Sequence, residues 1–94
     1  MPLEISAWDS AAYLETPEDV ALYLEAAFDD GDPRVIAHAL GIVARSKGMS
    51  AVAREAGVTR EALYKALSED GDPKLTTLLG VMKALGLRLT ARAA

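Results

Sequence analysis

The chain has 94 residues and a mass of 9.9 kDa, which is enough for one domain and too little for two ordinary domains. It contains no Cys and a single His, so the sequence excludes a disulfide framework, a thiolate metal site and a histidine cluster, and we expect no cofactor. Its formal net charge is −4, and no apolar run approaches the roughly 20 residues that span a bilayer, which argues against a membrane protein.

The first residues of the chain lack the pattern of an export signal, which is a basic start followed by an apolar stretch, so we expect a cytoplasmic protein. Leu3–Ala7 alternates apolar and polar side chains as a short extended segment does, and Asp9 is placed to cap a helical turn that runs through Leu14. Trp8 and Tyr13 lie in the same part of the chain. We predict that both are aromatic anchors for a protein partner.

Charge divides the chain into two parts. Residues 1–33 hold nine acidic side chains and no Lys or Arg, whereas residues 34–94 hold all ten basic side chains and five acidic ones. Such asymmetry indicates two faces with two kinds of partner, although an acidic face can also serve only to keep a protein soluble. We therefore treat residues 1–32 as an acidic extension with the first helix, within one fold, and residues 33–94 as the region that carries the main motif.

Two helices are predicted before residue 48. Thr16 supplies a capping hydroxyl for the first, Pro17–Asp29, in which proline costs nothing at the leading position. Asp32 and Pro33 begin the second helix, which ends with basic residues just before Gly48. Helical spacing gives the core positions of both helices, which are Val20, Leu24, Ala27, Phe28, Ile36, Ala39, Leu40 and Val43.

Three carboxylates crowd the end of the first predicted helix. Glu25, Asp29 and Asp30 lie towards its negative pole, where each acid is unfavourable by a few tenths of a kcal/mol unless a cation is near. A basic partner would relieve this unfavourable interaction. We therefore predict that these three residues contact a basic protein.

Two short helical segments follow, Ala51–Ala56 with Ser50 as its cap and Arg60–Leu67 with Thr59 as its cap. Neither segment is long enough to persist alone in water, so each is stable only when it packs against the other. Between them, Gly57 suits the positive φ of a sharp turn. The spacing is typical of a helix-turn-helix, although globular proteins also use packed helix pairs that never touch DNA.

The other residues of this segment also fit such a motif. Small Ala53 permits a close helix crossing, Val58 fills the angle between the helices, and Leu63 and Leu67 anchor the second helix. The outer face of that helix is then left for the major groove of DNA. The candidate DNA-binding residues on it are Thr59, Arg60, Glu61, Tyr64 and Lys65, together with Ser50 as a phosphate contact from the preceding helix.

One more helix and a short strand complete the predicted fold. The helix is predicted from an apolar stripe that consists of Leu75, Leu78, Leu79, Met82 and Leu85 and that Gly86 ends. Gly41 and Gly80, each inside a helix, indicate close approaches between helices. The tail Leu87–Arg92 alternates strictly and is predicted to be a strand that pairs with Leu3–Ala7 or with the same tail of a second chain.

Several motifs together resemble a known family. The spacing of Ala53, Gly57 and Leu63 is similar to that of the Cro/phage-repressor (Xre-type) helix-turn-helix. Nearly the whole chain resembles the HigA-like addiction-module antidote proteins, through Trp8-Asp9-Ser10-Ala11, Tyr13–Asp19, Gly31-Asp32-Pro33, Gly48-Met49-Ser50, Thr59–Ser68, Gly71-Asp72-Pro73 and Ala84–Leu87. We therefore expect an all-α fold, a five-helix lambda-repressor-like DNA-binding domain with a helix-turn-helix and a short C-terminal strand.

The resemblance also implies a function. It implies an antitoxin that neutralises a small, basic RelE/HigB-like toxin by direct binding and, as a homodimer, represses its own operon by binding double-stranded operator DNA. Carried over to this chain, Arg60 and Lys65 would donate to guanine, and Glu61 would accept from cytosine. Thr59 and Tyr64 would reach phosphate or a thymine methyl group.

Two other functions stay open at this point. One is a stand-alone phage-type transcriptional repressor that has no toxin partner, and the other is a protein-interaction module that has lost DNA binding. Enzyme activity is not expected, because the sequence offers no Ser-His-Asp set at a suitable spacing and no glycine-rich phosphate loop.

Overall fold

The computed structural model describes residues 14–94, and five helices carry the fold of that range. They are α1 (Pro17–Asp30), α2 (Pro33–Lys47), α3 (Met49–Ala56), α4 (Arg60–Ala66) and α5 (Leu75–Ala84). The predicted all-α class is confirmed for residues 14–94, where no helix is long and apolar enough to cross a membrane. The predictions for Leu3–Ala7, Trp8, Asp9 and Tyr13 lie outside the described residues.

Helices α1 and α2 begin where local chemistry predicts. The Thr16 hydroxyl oxygen accepts a hydrogen bond from the Asp19 amide at 3.1 Å, and the Asp19 carboxylate accepts one from the Thr16 amide at 3.2 Å. This reciprocal pair satisfies two amide groups that have no partner within the helix. Asp32 caps α2 through its carboxylate, which accepts from the Arg34 amide at 2.9 Å.

Helix α3 starts earlier than predicted. Ser50, the predicted cap, is exposed inside the first turn, and Gly48 stands at the cap position without a side-chain hydrogen bond. Met49 is the first helical residue, and its side chain is buried in the core. The burial of Met49 therefore decides where α3 begins, and the prediction that Ser50 caps this helix is wrong.

All five helices contribute to one core. Helix α1 packs against α2, α2 packs against α3, and α3 packs against both α4 and α5. Because α3 contacts three other helices, its position decides where α4 is held. The largest fully buried side chains are Val20, Leu24, Leu40, Val43, Leu63, Val81 and Leu85.

Two glycines allow close approaches between elements, as the sequence predicted. A Cβ on Gly41 would lie 2.8 Å from the carbonyl oxygen of Leu67, and a Cβ on Gly80 would lie 2.7 Å from the Cα of Ala56. Both distances are shorter than a carbon atom tolerates. Gly41 therefore lets α2 touch the end of α4, and Gly80 lets α5 touch the end of α3.

The predicted stripe of α5 is confirmed in part, since Met82 and Leu85 are buried and Leu78 packs against the core. Thr77, Val81 and Met82 are buried, whereas Leu75 and Leu79 are 64% and 46% exposed. The contact of Gly80 with Ala56 turns the side of α5 that carries Thr77 and Val81 towards the core. Leu75 and Leu79, which the prediction assigned to the core, lie on the surface instead.

The C-terminal tail, which we define as residues 87–94, does not confirm the predicted strand, whose two predicted partners, Leu3–Ala7 and the tail of a second chain, lie outside the described residues. It has no regular secondary structure, and none of residues 14–94 forms a strand with which it could pair. Its first residue is held in place, because the Leu87 amide donates to the Met82 carbonyl at 2.8 Å and the half-buried Leu87 side chain packs against the core. Beyond it, Arg92 reaches back to Glu25 of α1 at 3.8 Å.

Candidate functional site

The turn between α3 and α4 has the geometry that the sequence predicts. Gly57 adopts a φ of +75°, and the amide of Val58 donates to the Ala53 carbonyl at 3.0 Å. Ala53 is buried at the crossing, and the half-buried side chain of Val58 packs against the core. The two helices are therefore joined by a tight, hydrogen-bonded turn.

Helix α4 is fixed at both of its ends. The Thr59 hydroxyl oxygen accepts from the Ala62 amide at 3.0 Å, which confirms Thr59 as its cap. Leu63 and Leu67, the predicted anchors, are both buried. The regular helix ends at Ala66, one residue before the predicted end.

The side of α4 that faces away from the core carries five predicted site residues, and all five are exposed to solvent. We call this surface the α4 outer face; it consists of Thr59, Arg60, Glu61, Tyr64 and Lys65. Its side chains supply a guanidinium, an ammonium, a carboxylate, a phenol and a hydroxyl, which are groups able to hydrogen-bond the edges of bases or phosphate oxygens.

Two residues of the α4 outer face contact each other. The guanidinium carbon of Arg60 lies 5.5 Å from the centre of the Tyr64 ring, within the range of a cation–π interaction. An Nη2 atom of the same group lies 3.5 Å from the Tyr64 hydroxyl oxygen, so it can donate a long hydrogen bond to it. Tyr64 therefore restricts the positions that the Arg60 side chain can take.

Ser50 lies apart from these residues on the exposed side of the first turn of α3. Because it is not the helix cap, its hydroxyl is not engaged in capping. Arg54 and Glu55, further along α3, are also exposed. Across the exposed surface of α3 and α4, the three basic side chains Arg54, Arg60 and Lys65 therefore exceed the two acidic ones, Glu55 and Glu61, by a single charge.

A second surface lies at the C-terminal end of α1, and we call it the α1 acidic end. It consists of Glu25, Asp29 and Asp30, all of which are exposed, and the last turn of α1 contains no basic residue. One cation reaches it from outside the helix, since Arg92 forms an ion pair with Glu25. The predicted aromatic partners of this surface, Trp8 and Tyr13, lie outside the described residues.

Two features of these surfaces were not predicted from the sequence, one exposed leucine and one contact made by the tail. Leu22 is 68% exposed on α1, although it is a large apolar side chain. Leu22 lies outside the helical spacing of Val20, Leu24 and Ala27, so a helical projection would have shown that it faces solvent. The contact of Arg92 with the α1 acidic end could not be read from local spacing, because the two residues are far apart in the chain.

Metal binding receives no support from the described part of the chain. No group of three or more His, Asp or Glu side chains in residues 14–94 is arranged to hold an ion. His38 is exposed and lies beside a shallow groove with Asp32 and Glu69.

Comparison with known proteins gives a consistent result. The family described as probable addiction module antidote protein matches residues 4–93 of the chain. An uncharacterized protein of Haemophilus influenzae strain Rd is 42% identical over 88 residues, which is 94% of this chain and 91% of the relative. No solved structure matches the chain.

Proposed function

Because the chain belongs to the family of probable addiction module antidote proteins, we propose that it is an antitoxin that binds a small, basic RelE/HigB-like toxin directly and represses its own operon. The family match over residues 4–93 is the observation that carries the proposal. It extends over both surfaces described above. The proposal gives each surface one partner, with DNA at the α4 outer face and the toxin at the α1 acidic end.

DNA binding is supported by the way in which the α4 outer face is held. A capped helix with buried anchors presents hydrogen-bonding side chains on one exposed side, as a recognition helix of a helix-turn-helix does. Arg60 and Lys65 would donate to guanine, Glu61 would accept from cytosine, and Ser50 would contact phosphate. The contact between Arg60 and Tyr64 restrains the guanidinium before DNA arrives, which lowers the entropy lost on binding.

The net charge of only +1 on the exposed surface of α3 and α4 supports a dimer. Most of the affinity of a DNA-binding protein comes from neutralising phosphates, and an excess of one charge provides little of it. A homodimer that places two α4 helices in successive major grooves would double the number of contacts. We therefore propose that the chain binds its operator as a homodimer.

Toxin binding is supported by charge. If the proposed RelE/HigB-like toxin cleaves RNA, it needs a cationic surface to hold that substrate, and the first 33 residues of this chain carry nine acidic side chains and no basic one. Glu25, Asp29 and Asp30 lie on one exposed end of α1, where the helix dipole adds to their negative potential. Trp8 and Tyr13 are proposed as the aromatic anchors of the same contact.

The proposal is tested by co-expression with the product of the adjacent gene. We expect that gene to encode a short, basic protein that arrests growth when it is expressed alone, and we expect this chain to restore growth and to copurify with it. A promoter fragment of the same operon should be shifted by the purified chain. Promoter binding without a toxic neighbour would instead indicate a repressor that acts alone, and a complex with the neighbour that leaves the promoter unbound would indicate an interaction module.

A further inference from the structure

A groove with a volume of about 280 Å³ runs between helix α1 and the C-terminal tail. Part of its lining is apolar, and part consists of the exposed carboxylates of Glu25 and Asp29. It therefore offers apolar contact and negative charge together. The side chains that form it come mainly from two segments, with Leu24, Glu25, Phe28 and Asp29 from α1 and Leu87, Arg88, Leu89 and Arg92 from the tail.

One carboxylate of this groove already forms an ion pair with an arginine. The Nη2 atom of Arg92 lies 3.8 Å from the Oε2 atom of Glu25, and Arg88 lines the same groove. Glu25 and Asp29 are one helical turn apart at the carbonyl end of α1, where a cation is favoured both by the carboxylates and by the helix dipole. The tail therefore already places one arginine against the C-terminal end of α1.

The tail holds this position only weakly. The side chains of Arg92 and Glu25 are 84% and 57% exposed, so water screens most of their attraction. Residues 87–94 also have no regular secondary structure. Leu87 is secured by its hydrogen bond to Met82 and by its packing against the core, so the residues after it can move away from α1 without disturbing the fold.

We infer that the face of α1 that lines this groove is the docking site for an extended, arginine-bearing segment of a basic protein partner, and that the tail, which forms the opposite wall, covers this face in the free chain as an internal competitor. The identity of that partner as the toxin rests on the proposed function. Charge complementarity selects this occupant, because the segment that already lies there combines apolar Leu89 with two arginines. Binding of the partner then requires the tail to move aside, which sets the affinity of the complex.

The groove itself is tested with a synthetic peptide of the tail sequence, residues 87–94, added to the full chain. We expect amide chemical-shift changes centred on Ala21, Glu25 and Asp29, and tighter binding to a chain that carries R88Q/R92Q than to the natural chain. The tethered tail competes at an effective concentration in the millimolar range, so removing its charges exposes the face of α1 that it covers. A peptide with both arginines replaced by glutamine should bind roughly 1.5- to 5-fold more weakly for each lost ion pair.

The controls of the peptide experiment decide between the alternatives. K74Q/K83Q removes the same number of charges from exposed positions away from the groove and should leave peptide binding unchanged. E25Q/D29N should weaken it. Absence of shift changes in the R88Q/R92Q chain would overturn the inference, and so would a concentration-dependent dimer in which the tails of two copies exchange.

The role of the tail as a competitor is tested with the toxin. R88Q/R92Q should bind the purified toxin several-fold more tightly than the natural chain, whereas K74Q/K83Q should bind it as the natural chain does. Weaker binding by R88Q/R92Q would mean that the tail contacts the toxin itself, and an equal gain in K74Q/K83Q would mean a general charge effect; either result would overturn the inference. If no variant binds the neighbouring gene product, the proposed function fails, and the peptide experiment still judges the groove.

Discussion

The α4 outer face and the α1 acidic end are held in different ways. The first lies on a helix that is capped by Thr59, anchored by buried Leu63 and Leu67, and carries side chains that already contact each other. The second lies at a helix end where exposed carboxylates meet one exposed arginine of the tail. The first surface therefore suits directional recognition, which needs fixed geometry, whereas the second suits long-range attraction, which needs only charge.

The largest expected effect comes from the anchor of α4. Leu63→Ala should lower the free energy of unfolding by about 2–5 kcal/mol, because the fully buried side chain leaves a cavity. Leu22→Ala is the matched control on α1, where the exposed leucine should change stability by less than about 0.5 kcal/mol. Urea denaturation followed by circular dichroism measures both. Equal losses in the two variants would contradict the assignment of core and surface.

The next effect concerns DNA. Arg60→Ala with Lys65→Ala should weaken binding to the promoter fragment by about tenfold or more, since a good base contact contributes roughly 1–3 kcal/mol of discrimination. K83A/R88A, which removes two exposed cations from the end of α5 and from the tail, is the control and should retain most of the affinity. Gel shift at one fixed salt concentration gives the comparison. If the double variant binds as tightly as the natural chain, the α4 outer face does not read the operator.

A charge reversal at the α1 acidic end should separate the two surfaces. E25K/D29K is expected to weaken toxin binding by about tenfold, because like charges then face each other, and to leave promoter binding in place. E69K/D70K makes the same change of charge in the exposed loop after α4 and serves as the control. Affinities measured by calorimetry at two salt concentrations test this. A toxin affinity that falls equally in both variants would remove the α1 acidic end from the contact.

The smallest expected effect compares the two caps. Thr16→Ala and Thr59→Ala should each lower stability by about 1 kcal/mol, because each leaves a helix amide without its side-chain acceptor. Thr59→Ala should also weaken promoter binding, whereas Thr16→Ala should not. Serine at either position retains the hydroxyl and should restore stability in thermal unfolding. Loss of promoter binding in Thr16→Ala would show that the surfaces are coupled through the core.

Much of the fold could be predicted because its signals are short-range. Thr16, Asp32 and Thr59 each bond to an amide two or three residues away, so the helix starts that they fix are written in the local sequence. The turn at Gly57 follows from the freedom of glycine to adopt a positive φ. The exposure of the α4 outer face follows in turn, because buried Leu63 and Leu67 leave only one side of the helix to solvent.

The features that escaped prediction depend on long-range packing. Ser50 has the right chemistry for a cap, but burial of the neighbouring Met49 moves the start of α3. The leucines of α5 offer more than one plausible apolar face, and the contact of Gly80 with Ala56 selects the one that carries Val81. Alternation in Leu87–Arg92 favours a strand only beside a partner strand, and its predicted partners, Leu3–Ala7 and the tail of a second chain, lie outside residues 14–94 of this chain.

Local sequence patterns were therefore enough to predict the all-α class of residues 14–94, the caps at Thr16 and Thr59, the turn at Gly57 and the separation of acidic from basic residues. These depend on backbone chemistry and charge within a few residues. Two features do not follow from those patterns, namely the exposure of Leu75 and Leu79 on α5 and the contact of Arg92 in the tail with Glu25 of α1. Both features depend on packing between segments that are far apart in the chain. Several arrangements of these segments satisfy the local sequence pattern, but close contact between them permits only one arrangement.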